Sequence, residues 1–133
     1  MNQLSRHSAK LSQIASVAIS CGAASEISND LELFDCNEYL TNGGDGVFYI
    51  RAVGDSMEAE IYDGDLLIVN RNLQARSGDK VLAAINGGFT VKIFFQRPKL
   101  RLVAANDKYK SVEISRRDDF QIFGKITHII RKV

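Results

Sequence analysis

The sequence predicts a mainly β protein: a compact, twisted β-domain over residues 47–133, preceded by a flexible N-terminal arm over residues 1–46. Three observations predict it. From Val47 onward, short runs of β-branched, aromatic and aliphatic residues alternate with turn residues at close spacing. Asn86-Gly87 stands between two such runs, and a tight hairpin turn needs the positive φ that Asn and Gly tolerate. Before Val47 neither pattern exists, and Ser, Asn, Ala and Asp dominate.

Taken in order, the arm carries Leu4, Leu11, Ile14, Ala15 and Ala18 patchily along one helical stripe, enough for a short helix at most. "TNGGDG", residues 41–46, is a connection with turn chemistry. "VFYIRAV" then reads as a strand ending at Gly54, and "DLLIVN" as a nearly all-apolar strand after the turn at Asp63-Gly64. "DKVLAAI" and "FTVKIF" flank the Asn-Gly turn. "LRLVAA", "SVEIS" and "FQIFGKITHIIRK" complete six or seven strands. The only proline, Pro98, falls in a connecting turn, where its missing N–H costs no ladder bond.

Bulk properties restrict the function. A chain of 133 residues with 45% hydrophobic and 25% charged residues suits one soluble domain with a single core. A net charge of +1 makes no electrostatic case for nucleic acid or membrane as the main partner, so sequence-specific DNA binding is not expected. Cys21 and Cys36 are too few and unpatterned for a disulfide framework or a zinc site, although an exported protein could bridge them. The run "LSQIASVAIS" before Cys21 is interrupted by Ser12, Gln13 and Ser16, which a signal-peptide core is not. No apolar segment is long enough to span a bilayer, and a cytoplasmic location is expected.

Two residues stand out chemically. In "FTVKIF", period-two alternation sets Phe89, Val91 and Ile93 against Thr90, Lys92 and Phe94. A strand lysine is ordinarily solvated. Beside Phe94 and Phe95, however, Lys92 faces loss of solvation, which lowers its pKa and makes the neutral amine available as a base. Ser56, in Gly54-Asp55-Ser56-Met57, is on its own an ordinary turn serine. Between two buried-type strands such a turn also holds a hydroxyl and its neighbouring N–H groups in fixed orientation, and lysine is an established base for serine. His7 in the arm and His128 in the last strand offer no competing triad. The acidic residues Asp55, Glu58, Glu60, Asp63 and Asp65 match no calcium-loop spacing, so neither a metal nor a cofactor is expected.

These segments together resemble one known family. "AVGDSMEAEIYDGDLLIV", "GDKVLAAINGGFTVKIF" and "FGKITHIIRKV" look like the self-cleaving LexA/UmuD family of serine peptidases, over roughly residues 47–133. Gly54-Asp55-Ser56-Met57 resembles its nucleophile motif. Asp63-Gly64-Asp65 resembles the turn after it, Thr90-Val91-Lys92 the segment carrying the lysine base, and Phe123-Gly124 the start of its closing strand. Only three residues, Glu58-Ala59-Glu60, separate Met57 from Ile61, where members often carry a longer stretch with a glycine before the isoleucine.

The resemblance implies a serine endopeptidase with Ser56 as nucleophile, Lys92 as base and an oxyanion hole of the Asp55 and Ser56 backbone N–H groups. Cys21-Gly22 resembles the family's self-cleavage bond in type and position, which makes the loose arm its substrate. The short arm resembles the UmuD branch. That branch implies a homodimer, activation by the RecA–single-stranded-DNA filament, and a shortened product that joins a UmuC-like polymerase in SOS mutagenesis. Two other readings fit the same residues: the dimerisation domain of a phage-type repressor, and a peptidase acting on other chains.

Overall fold

The computed structural model describes residues 13–16, 32–35, 39–40 and 45–133. The chain divides into two units, Met1–Asp45 and Gly46–Val133. In the first, β1 (Gln13–Ser16) pairs antiparallel with β2 (Glu32–Asp35), setting Ile14 opposite Phe34 and Ala15 opposite Leu33. The helical stripe drawn through Ile14 and Ala15 is therefore not helix there. A four-residue segment is too short for periodicity to decide between helix and strand, and pairing with β2 decides it.

The second unit is one antiparallel sheet, a mainly β architecture as the patterning predicts. Its strands are β3 (Val47–Arg51), β4 (Leu66–Asn70), β5 (Lys80–Ile85), β6 (Gly88–Phe95), β7 (Arg101–Val103), β8 (Val112–Glu113) and β9 (Phe120–Ile130). Their order is β3-β4-β9-β5-β6-β7-β8. The long last strand thus returns to the middle of the sheet. Its register slips opposite Ile68/Val69 on β4 and opposite Leu82/Ala83 on β5, and such bulges bend a strand and increase its twist. At the β5–β6 hairpin, Asn86 and Gly87 have φ of 48° and 86°, the mirror-image turn that suits strand twist. Pro98 follows a cis peptide bond in the turn between β6 and β7.

Alternation along the strands divides the buried side chains between two clusters. Leu82 of β5 joins Met57, Ile61, Leu67, Val69 and Ile126, while its neighbours Val81 and Ala83 join Phe94 and Leu102. On β6, Val91 and Ile93 pack against the first cluster and Phe94 belongs to the second, the alternation read from the sequence. The first cluster roots the loop between β3 and β4, because Met57 and Ile61 are both buried in it. The three residues between them close tightly: Ile61 N–H donates to Met57 O at 2.8 Å, and Ala59 takes a φ of 90°. The short loop thus places an alanine in the left-handed region, which favours glycine.

The middle of the sheet tolerates no added atom at Gly124. A Cβ there would lie 2.5 Å from Val69 Cγ1 and 3.2 Å from Asn70 O, and Val69 is wholly buried on β4. Gly124→Ala is therefore expected to lower stability by about 1–3 kcal/mol through overpacking. Urea unfolding of the variant beside the parent checks this, and an unchanged midpoint would show that β4 and β9 can separate freely.

Candidate active site

The loop between β3 and β4 is pinned at its neck before it turns through Ser56. Ala52 N–H donates to Asp65 O and Gly64 N–H to Ala52 O, both at 2.8 Å, which continues the β3–β4 ladder beyond its last paired residues. Asp63 Oδ1 accepts from Gly54 N–H at 2.7 Å, and Arg51 donates to Gly64 O at 2.8 Å. Asp65, 2% exposed, accepts the Arg131 guanidinium at both carboxylate oxygens, at 2.7 and 2.6 Å. The Arg131 hydrogen bond holds its carboxyl below the usual carboxylate range, against the opposing effect of burial. Arg131 also lies 4.7 Å from the centroid of the Tyr62 ring. Residues 63–65, read from the sequence as a turn, are a turn locked by an ion pair between the buried Asp65 and the exposed Arg131.

Lys92 reaches this loop from β6. Its Nζ donates to Ser56 Oγ at 3.0 Å, Thr90 Oγ1 at 2.8 Å and Val91 O at 3.1 Å. All three acceptors are uncharged. Partial burial consequently lowers the Lys92 pKa, with desolvation as the cause. A neutral amine has two N–H groups and one lone pair. Donation to Thr90 and Val91 uses the two hydrogens and leaves the lone pair for the Ser56 hydroxyl proton. Thr90, two residues before Lys92 on the same side of β6, sets the amine's direction.

Ser56 and Lys92 both line a largely apolar groove of about 500 Å³. One wall is β3 and the residues after it, including Phe48, Ile50 and Val53; the other is Phe89, Thr90 and Val91 of β6. Two strand edges face it. Among the described residues, β3 pairs only with β4, and β6 pairs with β7 only from Ile93 to Phe95. Phe123 supports the floor, edge-on to Phe48 and Phe89, with the Arg71 guanidinium 4.2 Å from its centroid.

Of the residues singled out in the sequence, the fold brings Ser56, Lys92 and Asp55 together. His128 lies on β9 opposite Ile68, with Nδ1 2.9 Å from Thr127 Oγ1. The acidic residues serve separate structural partners: Asp55 accepts from the Tyr109 hydroxyl, Asp63 from Gly54 N–H and Asp65 from Arg131, while Glu60 pairs with Lys80 at 2.9 Å. No group of ligating side chains that would hold a metal occurs among the described residues. Among them, too, no helix is long and apolar enough to cross a membrane. His7, Cys21, Gly22 and Cys36 lie outside the described residues. The sequence reading missed the roles of Thr90, Arg131 and Tyr109. Only Thr90 carried a local signal, its period-two spacing from Lys92.

The chain is similar to several known proteins. The family described as Peptidase S24-like matches residues 13–127. Protein SamA of Salmonella typhimurium is 35% identical over 102 residues, which cover 76% of this chain and 71% of that protein. Protein ImpA of Escherichia coli is 36% identical over 99 residues, 74% of this chain and 68% of that protein. The LexA repressor of Thermotoga neapolitana is 38% identical over 87 residues, covering 65% of this chain but 44% of the repressor.

The desolvated amine has a consequence for stability. Its pKa is lower folded than unfolded, so the unfolded chain binds more protons and stability rises with pH between the folded value and the ordinary 10.5. Lys92→Met is expected to melt above the parent at neutral pH, with the gap closing as pH approaches 10.5. Thermal melts of both chains across that range check it, and a gap that does not shrink would show that the amine carries no desolvation penalty.

Proposed function

The chain belongs to the Peptidase S24-like family, and from that membership we propose that it is a self-cleaving serine peptidase of the UmuD kind, with Ser56 and Lys92 as its catalytic pair. The observation that carries the proposal is the 3.0 Å separation of Lys92 Nζ and Ser56 Oγ at a groove with two available strand edges. No carboxylate takes part in that contact, which is what a lysine acting as a neutral base requires.

The proposed substrate is the Cys21-Gly22 bond of the arm, residues 1–46. An extended segment laid in the groove can add backbone hydrogen bonds to a strand edge while its side chains enter the apolar walls. Lys92 takes the Ser56 hydroxyl proton as Oγ bonds to the Cys21 carbonyl carbon. The carbonyl oxygen becomes an oxyanion, held by the backbone N–H groups of Asp55 and Ser56. As the C–N bond breaks, the protonated Lys92 gives its proton to the departing Gly22 nitrogen. Water, deprotonated by Lys92, then attacks the Cys21–Ser56 ester. Its hydrolysis restores the serine and releases residues 1–21 and 22–133. The family resemblance further suggests a cytoplasmic homodimer, stimulation by the RecA–single-stranded-DNA filament, and a shortened product serving a UmuC-like polymerase in SOS mutagenesis and translesion synthesis.

Mass measurement of the chain incubated alone at alkaline pH, and with RecA, single-stranded DNA and nucleotide, tests this reading. Ser56→Ala and Lys92→Ala are each expected to remain full length, and a cut at Cys21-Gly22 in either would sink the pair. Because burial lowers the Lys92 pKa, the rate without RecA should rise about tenfold per pH unit below that value and level above it. A flat profile from neutral to strongly alkaline pH would exclude Lys92 as the base.

A further inference from the structure

We infer that Asn106 is a positioning residue that aims the Ser56 backbone N–H at the oxyanion by holding the carbonyl oxygens on both sides of the nucleophile. The inference rests on the reading of Ser56 as nucleophile and adds a residue to it. Asn106 follows β7, 50 residues along the chain from Ser56 (106 − 56 = 50), and nothing in its local sequence announces it. Its side-chain Nδ2 donates to Asp55 O at 3.0 Å. Its own backbone N–H donates to Ser56 O, also at 3.0 Å. Both peptide planes that flank Ser56 are thereby fixed by one residue.

Direction follows from peptide geometry. In a trans peptide the N–H points opposite to the C=O of the same plane. Asp55 O is drawn toward Asn106, so Ser56 N–H points away from Asn106. Asp55 O also accepts Glu58 N–H at 3.1 Å, which occupies its second lone pair and stops the plane from rotating. The hollow that Asn106 lines, with Glu58, Ala59, Tyr62 and Lys108, is not the groove that Ser56 shares with Lys92. Asn106 itself is held. Its Oδ1 accepts Lys108 N–H at 3.1 Å, its carbonyl accepts Tyr109 N–H at 3.0 Å, and the Tyr109 hydroxyl donates to the Asp55 carboxylate. The segment 106–109 is thus a clamp with three holds on Asp55 and Ser56 and none on the lysine among the bonds described.

An N–H fixed before the reaction stabilises the transition-state charge without reorganisation, and loss of one such donor lowers rates about 10²- to 10³-fold. Asn106→Asp retains the acceptor for Lys108 N–H and the backbone bond to Ser56 O, but turns an acceptor toward Asp55 O. Asn106→Ala removes the donor without adding charge and serves if the aspartate variant does not fold. Self-cleavage of each full-length variant is measured from neutral to alkaline pH beside the parent and Ser56→Ala, with melting temperature as a fold check. The expected result is a plateau rate at least tenfold lower for Asn106→Ala, with the pH midpoint where the parent has it, and a plateau lower still for Asn106→Asp. A plateau within threefold of the parent's overturns the inference. So does a shifted midpoint in Asn106→Ala, which adds no charge, because the residue would then act through Lys92. Failure of the parent to cleave, or cleavage by Ser56→Ala, overturns the reading of Ser56 instead.

Discussion

A lysine amine bonded only to uncharged oxygens is the constraint on which the rest of this site depends. Asp65 and Lys92 are both drawn from water, to different degrees, and they are treated oppositely. Asp65 is almost fully buried, yet it receives a two-pronged guanidinium and a backbone N–H, so its charge is satisfied and stays. Lys92 is less buried, but its acceptors are a serine, a threonine and a peptide carbonyl. The first pattern fixes structure. The second leaves the charged form without compensation, and the proton is the component that can leave.

Holding a reactive amine against a hydroxyl requires two elements far apart in sequence to keep a hydrogen-bond distance. β6 provides one side, secured by its ladder with β5 and by Phe94, Val91 and Ile93 packing on two clusters. The loop after β3 provides the other. It has no regular structure of its own, so its position comes from its two buried anchors, Met57 and Ile61, and from the pinned neck at residues 51–54 and 63–65. Arg131 ties that neck to the far end of β9, the strand that also joins β4 to β5. The loop is therefore referenced to the same central strand that positions β6.

Much of this was legible in the sequence, for reasons that differ by element. β4, β5 and β6 declared themselves through apolar runs and the Asn86-Gly87 turn, because local backbone preference and burial agree there. Ser56 and Lys92 emerged from residue type and setting, and the fold brings them together. The short β1, the Arg131–Asp65 pair and the Asn106 clamp did not emerge. β1 exists through its partner β2, 66 positions separate Arg131 from Asp65, and 51 separate Asn106 from Asp55. Contacts made only by tertiary closure leave no periodicity to read. The acidic cluster around Ser56 shows the converse: Asp55, Glu60, Asp63 and Asp65, close together in sequence, are dispersed by the fold to four different partners.

If Ser56 and Lys92 are the catalytic pair proposed, the groove explains why so undemanding a pair can suffice. Two strand edges and apolar walls would bind an extended backbone with little side-chain discrimination, so an intermolecular substrate would gain only modest affinity from them. A segment of the same chain needs no such affinity, because tethering replaces binding with a high local concentration. On the proposed reading, then, reactivity is restrained at two points. The amine must lose its proton in a site that merely disfavours the charge, and the arm must lie extended along the edges that β3 and β6 leave unpaired among the described residues. A partner that favours the extended arm would accelerate cleavage without touching Ser56 or Lys92. Its effect would therefore multiply the rate at every pH and leave the titration of the lysine where the groove sets it.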